Sequence, residues 1–341
     1  MTEKAHAAPF QNTCVSSRVR LARNYADIPF MPQITAEWAE ETIRRADEAI
    51  LNASDATAYK GVRIRDLAEN ERQELLDHRK ISYDLLKYPD YAAALFSSGN
   101  TVTVMVNEED HLRIQASLPG LQLQRAQEIA NHADDELGVH GAYAFDPQLG
   151  YLTSSPANAG TGMRASVVLH LPALRAAGQI AATSQAMGKL GITLRGLYGT
   201  GGDAPGDLFL LANQSTLGRS EEDIISALED AAIQVGDHEQ NLRETLHERD
   251  ALLMEDKILR SAAILQAARM LRLIEFMHFM SDLRLGSAMG ILPAPIGEID
   301  ALVMDLQNAS IRTGIRENIN DRDVLCIRAE KVRQKIAEWA N

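Results

Sequence analysis

The chain has few cysteines and no long apolar run. Its only cysteines, Cys14 and Cys326, lie far apart among 341 residues, which excludes a disulfide framework and a CxxC metal site. The segment at 1–12, MTEKAHAAPFQN, has no apolar core and does not resemble a signal peptide. A membrane-spanning helix needs about 18 consecutive apolar residues, and the sequence contains no such run. We therefore expect a cytoplasmic protein that makes no membrane contact.

Positive charge is also in short supply. The chain has 34 Lys and Arg against 47 Asp and Glu, which leaves a net charge of −13 at pH 7. Binding to nucleic acid needs a basic face against the phosphates, so we expect no direct nucleic-acid partner. A local cluster of arginines around a small anion is still compatible with an acidic chain. The sequence has no GxxxxGK[ST], which excludes a Walker-type phosphate loop.

The remaining composition is that of an ordinary globular protein, with 45% hydrophobic and 24% charged residues. At about 150 residues per domain, the length suggests two domains. We interpret 1–12 as a flexible arm. Residues 13–245 mix β-rich and helical segments, which predicts an α+β domain with an antiparallel sheet flanked by helices. Residues 246–341 show helical spacing almost throughout and predict an all-helical C-terminal domain.

The periodicity predicts individual elements within these domains. Predicted helices cover 36–50, 67–77, 121–137 and 172–187, and in the C-terminal part 251–283, 299–312 and 321–340. Predicted strands cover 101–106, 111–116, 142–145 and 164–171, together with a pair at 194–198 and 208–212. A capping box at Ser220 is expected to begin a further helix.

The first unusual segment is SSRVRLAR at 16–23. Strand alternation places Arg18 and Arg20 on one face, and Val19 and Leu21 on the other. Two guanidinium groups side by side suit a polyphosphate. The alternative is a solvated strand face, which is the commoner explanation for an isolated arginine pair.

The second segment is NEEDHLR at 107–113, where Glu108, Glu109 and Asp110 lie at a predicted hairpin tip. Three adjacent carboxylates repel one another, which is tolerated where the tip is wet or a cation lies there. Arg113 adds an anion ligand nearby. His111 is more simply explained as a surface or core histidine than as a ligand.

The third segment is GYLTSSPANAGTGMRA at 150–165, a loop of small residues with Arg164 at its end. The backbone of such a loop can approach a ligand closely. A glycine-rich loop at 199–206 follows Arg195. Taken alone, each loop indicates no more than a mobile turn.

Methionine and phenylalanine recur at helical spacing near 270–280. We interpret Met270, Phe276, Met277, Phe279 and Met280 as domain core or a dimer contact, with His278 packed among them.

Together these segments resemble the phosphagen kinases, the ATP:guanidino phosphotransferases. The four motifs SSRVRLAR, NEEDHLR, GYLTSSPANAGTGMRA and a glycine-rich loop before FLLANQSTLGRSEED occur in the family's order over roughly 14–225. The phrases MVNEEDHLRIQ and RGLYG look most like the bacterial protein-arginine kinases, which have a kinase domain followed by a helical C-terminal domain.

The resemblance implies an ATP site built from arginines, with Mg²⁺. The implied nucleotide-binding residues are Ser16, Ser17, Arg18, Val19, Arg20, Arg79, Arg113, Arg164, Ala165, Ser166, Val167, Val168, Arg195, Gly196, Leu197, Tyr198, Gly199 and Thr200. Glu108 and Asp110 would help to organise hydrated Mg²⁺. Glu109 matches the acid that grips the acceptor guanidinium, takes its proton and aligns its nitrogen with the γ-phosphate.

The sequence departs from the family at three positions. Ser155 stands where the family usually has a cysteine near the guanidinium. Thr200 stands where the bacterial branch usually has a glutamate, with Asp203 as the nearest acid and candidate catalytic substitute. Arg79 stands where a histidine commonly contacts adenine, with His78 beside it. These departures affect the expected acceptor site more than the ATP site.

A C-terminal motif is also altered. The bacterial branch has Arg-Asp-x-x-Arg-Ala, which binds phosphoarginine allosterically, whereas 321–329 read DRDVLCIRA, two residues longer. Arg322, Asp323 and Arg328 are the matching residues, but positions six apart do not share a helix face. An ordinary amphipathic last helix is the alternative.

The resemblance implies phosphorylation of arginine side chains in proteins, marking them for regulated proteolysis. The implied partners are proteins with exposed arginine, an activating adaptor, a Clp-type protease and a second copy of the chain. Two alternatives stay open: a kinase for a free guanidino compound such as arginine, and a non-catalytic regulator that binds nucleotide or phosphoarginine.

Overall fold

The structure, a computed structural model, describes residues 10–31, 33–51, 59–198, 204–315 and 319–339. Its strands are β1 (Cys14–Arg23), β2 (Tyr59–Arg63), β3 (Ala93–Ser97), β4 (Val102–Val106), β5 (Leu112–Pro119), β6 (Phe145–Asp146), β7 (Gly150–Tyr151), β8 (Met163–His170), β9 (Ile192–Gly196) and β10 (Leu208–Asn213). Its α-helices are α1 (Ala36–Leu51), α2 (Glu69–Asp77), α3 (Leu123–Gly138), α4 (Pro172–Ala176), α5 (Ile180–Lys189), α6 (Glu221–Arg249), α7 (Ala251–Ala267), α8 (Leu273–Ala288), α9 (Ile296–Asp305), α10 (Asn308–Gly314) and α11 (Asp321–Trp339).

Eight strands form one sheet in the order β2-β3-β4-β5-β1-β8-β10-β9, and every neighbouring pair is antiparallel. The strand β1 lies near the centre, between β5 and β8. Its alternation follows the sequence pattern, because Val19 and Leu21 are fully buried in the core that includes α1, α3 and α6. The predicted α+β fold with an antiparallel sheet, flanking helices and a helical C-terminal part is confirmed.

Among the described residues, two separate groups of helices and turns cover the opposite face of the sheet at its two ends. At one end, Met105 of β4 packs with residues around α2, including Leu76 and Leu85. At the other end, Val168 of β8 and Leu210 of β10 pack against the C-terminal helices. The middle of this face, where β1, β5 and β8 run side by side, therefore lies between two separate hydrophobic clusters.

Three predicted helices are interrupted. The helix expected over 172–187 ends at Ala176, and Gly178 adopts φ 68°, a left-handed conformation that glycine tolerates. The helix expected over 251–283 is divided into α7 and α8, because the backbone is extended at Ala268 and Arg272. The helix expected over 299–312 is divided into α9 and α10. At the second break, buried Leu271 donates from its backbone N–H to Leu325 of α11 at 3.1 Å, so a tertiary contact replaces helical bonding.

Some local predictions were wrong. Residues 142–145 do not form a strand of the main sheet; only the short β6 and one bridge between Tyr25 and Tyr143 occur there. The strands β2 and β3 were not predicted, since their sequences, YKGVR and AALFS, have weak strand patterns. His278, expected to be packed, is exposed, as is Met270, whereas Phe276, Met277 and Met280 lie in the C-terminal core.

The junction between the two halves is continuous. The predicted capping box at Ser220 is confirmed: its Oγ accepts from the N–H of Asp223 at 3.0 Å. The helix α6 then runs past the predicted 245/246 boundary, and Asp250 caps α7 directly after it. Residues 1–9 of the predicted arm lie outside the described residues. The next ones are held, because Arg284 of α8 donates to the carbonyls of Gln11 and Asn12.

Both cysteines are free, as predicted, and Cys14 is buried. Among the helices of the described ranges, none is long and apolar enough to cross a membrane.

Candidate active site

Arginines from four strands share the half-covered face of the sheet. In the register, Arg20 lies opposite Arg164 of β8 on one side and Gln115 of β5 on the other. Arg113 precedes Gln115 by two residues on the same strand face, and Arg18 follows the same alternation on β1. On the edge strand β9, Arg195 pairs with Leu210 and is exposed. The sheet therefore assembles guanidinium groups that are as far apart in sequence as Arg18 and Arg195.

This arginine cluster has little compensating negative charge. Burial lowers the pKa of Arg18 and Arg20 well below the ordinary value, and neighbouring Arg79 and Arg113 lower it further. Among the described residues, the buried Nε of Arg20 has no hydrogen-bond partner, and Arg18 Nε donates to the hydroxyl of Ser117 at 3.0 Å. Buried guanidinium donors without acceptors are costly unless an anion completes them. The geometry thus fits a polyphosphate.

Glu108 is occupied by its neighbours. Its two carboxylate oxygens accept from Arg113 Nη1 at 2.6 and 2.8 Å, and they also accept from the hydroxyl of Ser82 and the N–H of Glu109. Burial acts to lower the pKa of Arg113, but the charge and hydrogen bond of Glu108, together with the charges of Glu109 and Asp110, raise it overall. Glu108 therefore holds Arg113 in place on the open face.

Asp110 also has a structural partner set. Its Oδ1 accepts from Asn24 Nδ2 at 2.7 Å and from the N–H of Ser154 at 2.6 Å. Asn24 in turn accepts from the N–H of His111, so it ties β1, the hairpin tip and the 150–160 loop together. Within the described ranges, no group of three or more His, Cys, Asp or Glu is arranged to hold a metal ion. The two predicted Mg²⁺ carboxylates thus offer no protein cage. That agrees with the usual binding of Mg²⁺ through water and substrate phosphates.

His111 is a core residue, which is one of the two explanations, surface or core, that were preferred to a ligand. Its Nδ1 accepts from the N–H of Tyr25, and its Nε2 donates to the carbonyl of Pro29, both at 3.0 Å. Burial lowers its pKa, so the ring is neutral in the tautomer that these two bonds require. It supports the hairpin tip.

Of the three acids at the hairpin tip, Glu109 is the one that is not buried, since Glu108 and Asp110 are each only 2% exposed. Its side chain is half-buried, and its Oε2 accepts from Asn158 Nδ2 at 3.3 Å. Burial raises its pKa, and the neighbouring Asp110 and Glu108 raise it further. A carboxylate with raised proton affinity at the edge of an arginine cluster has the properties of a general base.

The loop at 150–160 brings Ser155 and Asn158 to this edge. A short helical turn at Pro156–Asn158 follows Ser155, whose carbonyl accepts from the N–H of Asn158 at 2.9 Å. At Gly160, with φ 101°, an added Cβ would lie 2.6 Å from the carbonyl oxygen of Thr216, so only glycine fits. Asn158 was not predicted as a site residue, although it lies within the motif at 150–165. Its contact with Glu109 joins two segments that are distant in sequence.

A cavity of about 340 Å³ adjoins the arginine cluster. Six of the predicted nucleotide-binding residues line it: Ser16, Arg18, Arg79, Val168, Leu197 and Tyr198. Arg79 adopts φ 56° in a turn whose carbonyl accepts from Gln115 Nε2 at 3.0 Å, and burial lowers its pKa to about 10. A nucleotide with its phosphates on the arginines can therefore extend into an adjoining pocket.

Four of the other predicted nucleotide-binding residues face away from the arginines. The side chains of Val19, Ala165 and Val167 are fully buried in the opposite core, and Ser17 Oγ donates to the carbonyl of Gly120. Ser166 lies across from Arg18 on β8, and Gly196 ends β9. Gly199, Thr200 and Asp203 lie outside the described residues.

The three residues of the predicted phosphoarginine site lie in different environments. Arg328 is fully buried, and its guanidinium donates to the carbonyls of Leu306 and Leu271 and to Asn308 Oδ1. Arg322 is exposed, and Asp323 exchanges hydrogen bonds with Asn320 at the start of α11. The phosphoarginine site stays a prediction. In this structure Arg328 of α11 links the segments around Leu271, Leu306 and Asn308.

Comparison with known proteins identifies the fold and the class of this protein. The chain superposes on a solved lombricine kinase with a TM-score of 0.62 and 22% identity, covering 69% of this chain and 68% of that one. The family model described as ATP:guanido phosphotransferase, C-terminal catalytic domain, matches residues 41–242. The fold and the matched domain thus define an ATP:guanidino phosphotransferase.

The second half and the curated relatives narrow this class. Residues 251–341 match a model described as the protein-arginine kinase McsB C-terminal domain. A protein-arginine kinase of Caldanaerobacter subterraneus subsp. tengcongensis is 41% identical over 92% of this chain and 94% of its own length. One of Pelotomaculum thermopropionicum is 44% identical over 89% and 86%. The chain belongs to the protein-arginine kinase family.

Proposed function

We propose that this chain transfers the γ-phosphoryl group of Mg·ATP to a guanidinium nitrogen of arginine side chains in proteins. One observation supports this most directly: Glu109, a half-buried carboxylate with a raised pKa, lies beside Arg113 and Arg164 at the edge of a half-buried arginine cluster. Phosphate-binding cations and a base for the acceptor thus lie side by side.

The arginines would bind and orient the triphosphate. Phosphoryl transfer passes through a loose transition state whose charge spreads over the moving group, so catalysis is mainly positioning and cationic stabilisation. Arg18, Arg20, Arg113 and Arg164 meet that need from three adjacent strands. We infer that Mg²⁺ arrives as part of the nucleotide substrate. Glu108 and Asp110 would act on it through water, because both side chains are buried and already accept hydrogen bonds from protein groups.

The acceptor guanidinium is protonated at neutral pH and must lose a proton to attack phosphorus. We infer that Glu109 bonds this cation, takes the proton and holds the nitrogen in line with the γ-phosphate. Asn158 keeps one oxygen of Glu109 in position. Ser155 lies in the same loop. It offers the acceptor a neutral hydroxyl, where a cysteine would offer a thiolate.

The finer biological role is also a proposal. We infer a cytoplasmic enzyme whose phosphorylated products go to a Clp-type protease with the help of an activating adaptor, as the resemblance of its motifs implies. Helix α7 supports the expected homodimer, because Leu252, Leu253 and Leu259 on it are at least half exposed.

Self-association can be tested on that helix. We expect Leu259→Glu to lower the oligomeric mass seen by light scattering, because a charge would be buried at the interface. Exposed Val139→Glu, on the catalytic part, serves as the matched control. An unchanged mass for both variants would show that the expected dimer does not use α7.

The acceptor test compares two substrates. The protein is incubated with Mg·ATP and either an unfolded protein or free arginine, and acid-labile phosphate is measured. We expect label on the protein and little on the free amino acid. Rapid labelling of free arginine alone would indicate the alternative kinase for a free guanidino compound. Absence of label on both, with ATP still bound, would indicate a non-catalytic regulator.

A further inference from the structure

The cavity beside Arg18 and Arg79 has a second wall, which the catalytic sheet does not supply. On the sheet side, Val168 and Leu208 line it. Facing them are residues of the C-terminal helices: Met277 and Met280 of α8, and Ile299, Val303 and Met304 of α9. The cavity is therefore shared between the two halves of the chain.

Buried polar contacts hold the helix wall against the sheet. Ser281 of α8 bonds through its Oγ to His170 Nε2 at 2.8 Å and to Asp207 Oδ2 at 2.6 Å. Arg284, one turn further on, donates to Asp300 of α9 at 2.7 Å and to the carbonyl of Gln11. Buried networks of this kind give a helix a single position, so the wall is pre-formed.

The turn at Arg79 is joined to the same helices. His78 Nε2 lies 3.1 Å from the carbonyl of Met304 and 2.9 Å from Ser310 Oγ. The residue that precedes Arg79 thus contacts the end of α9 and the start of α10. The position of the C-terminal helices and that of a cavity-lining guanidinium are set together.

The chemistry of the cavity indicates its ligand. The polar side chains Ser281, Arg284 and Asp300 are already bonded to protein, so the remaining surface between the walls is mainly apolar. Its volume, about 340 Å³, lies in the range of small-molecule pockets. Thioethers of methionine pack well on aromatic rings. A flat aromatic ring attached to a polyphosphate suits a cavity with methionines inside and arginines at its edge.

We propose that α8 and α9 form one wall of the pocket for the purine base of ATP, so that the C-terminal helical region is part of the nucleotide site. This rests on the proposed function, in which the arginine cluster binds the triphosphate. It follows that nucleotide binding and the docking of the C-terminal helices strengthen each other to the same degree.

The experiment compares Mg·ATP with inorganic tripolyphosphate, which has the phosphates and no base. Binding to the full chain is measured by calorimetry for the wild type, Met304→Ala and Met304→Leu. Met304 is only partly buried, so its replacement should not prevent folding. Met270→Ala is the control, because Met270 is exposed and does not line the cavity.

We expect Met304→Ala to weaken ATP about two- to tenfold, the range of one sulfur–aromatic contact, and to leave tripolyphosphate unchanged. Met304→Leu keeps the apolar volume but not the sulfur, so it should recover only the part of the loss that is due to packing, and Met270→Ala should change neither ligand. Wild-type ATP affinity in Met304→Ala, or an equal loss for both ligands, would overturn the inference. If the wild type binds neither ligand, the proposed function itself fails, and this inference fails with it.

Discussion

Replacing Glu109 by Gln tests the proposed chemistry most directly. The substitution keeps the size of the side chain and one oxygen for Asn158, but it removes the charge and the proton acceptor. Loss of a positioned general base typically costs about 10²–10⁴ in rate. We expect phosphoarginine formation to fall by at least that range while the arginine cluster still binds ATP.

The structure also predicts the effect of Glu109 on stability and on pH dependence. Because burial raises its pKa in the folded state, the folded protein binds more protons between the unfolded and folded pKa values. The free energy of unfolding therefore falls as pH rises through that window. The Glu109→Gln variant has no charge to bury at this position. Its free energy of unfolding at neutral pH should therefore equal or exceed that of the wild type. The wild-type rate should have an acidic limb above the ordinary glutamate pKa, and the variant should lose it.

The assay is the initial rate of acid-labile phosphate formation on an unfolded protein, measured across pH, with ATP affinity and thermal unfolding measured in parallel. Exposed Glu128→Gln, on α3, is the matched control and should behave like the wild type. Wild-type rates in Glu109→Gln would refute the assignment and move attention to Asp203 as the base.

Four further substitutions have distinct expected results. Asn158→Asp adds a negative charge beside Glu109, so the acidic limb of the rate should move to higher pH; an unmoved limb would mean that the two groups do not interact. Arg113→Ala leaves its carboxylate partner buried and unpaired, so denaturant unfolding should show a loss of about 3–5 kcal/mol together with lost ATP binding. Arg164→Ala should weaken ATP with a much smaller loss of stability, since its Nη1 donates only to two carbonyls; equal destabilisation would contradict this. Ser155→Cys should raise the rate if a thiolate improves the grip on the acceptor, and calorimetry with an arginine peptide would show whether affinity rises with it.

Short-range patterns in the sequence determined the main strands, the capping box and the half of the site that depends on alternation. Arg18 and Arg20 share a strand face because side chains alternate every residue, and this holds whatever the strand packs against. The resemblance of the motifs then indicated the family and placed Glu109 beside the arginines. The cysteine content and the missing phosphate loop had already excluded other classes.

Tertiary structure decided which of these groups are free to act. The resemblance of the motifs implies that Glu108 and Asp110 help to organise hydrated Mg²⁺, and the fold places Arg113 against one and Asn24 and Ser154 against the other. Asn158 reaches Glu109 only because two segments 49 residues apart meet. Such contacts depend on strand register and loop packing, which no local pattern specifies.

The C-terminal half shows the same division. Helical periodicity is local, so the sequence determined that this half is helical. Where each helix breaks depends on what lies across from it, as at Leu271, whose N–H bonds to α11. Packing also determined the surroundings of Arg328 and of the methionines. The guanidinium of Arg328 donates to backbone carbonyls, and Met277 and Met280 line a cavity beside the arginines. Local periodicity sets which residues share a face, whereas only long-range packing sets what that face meets.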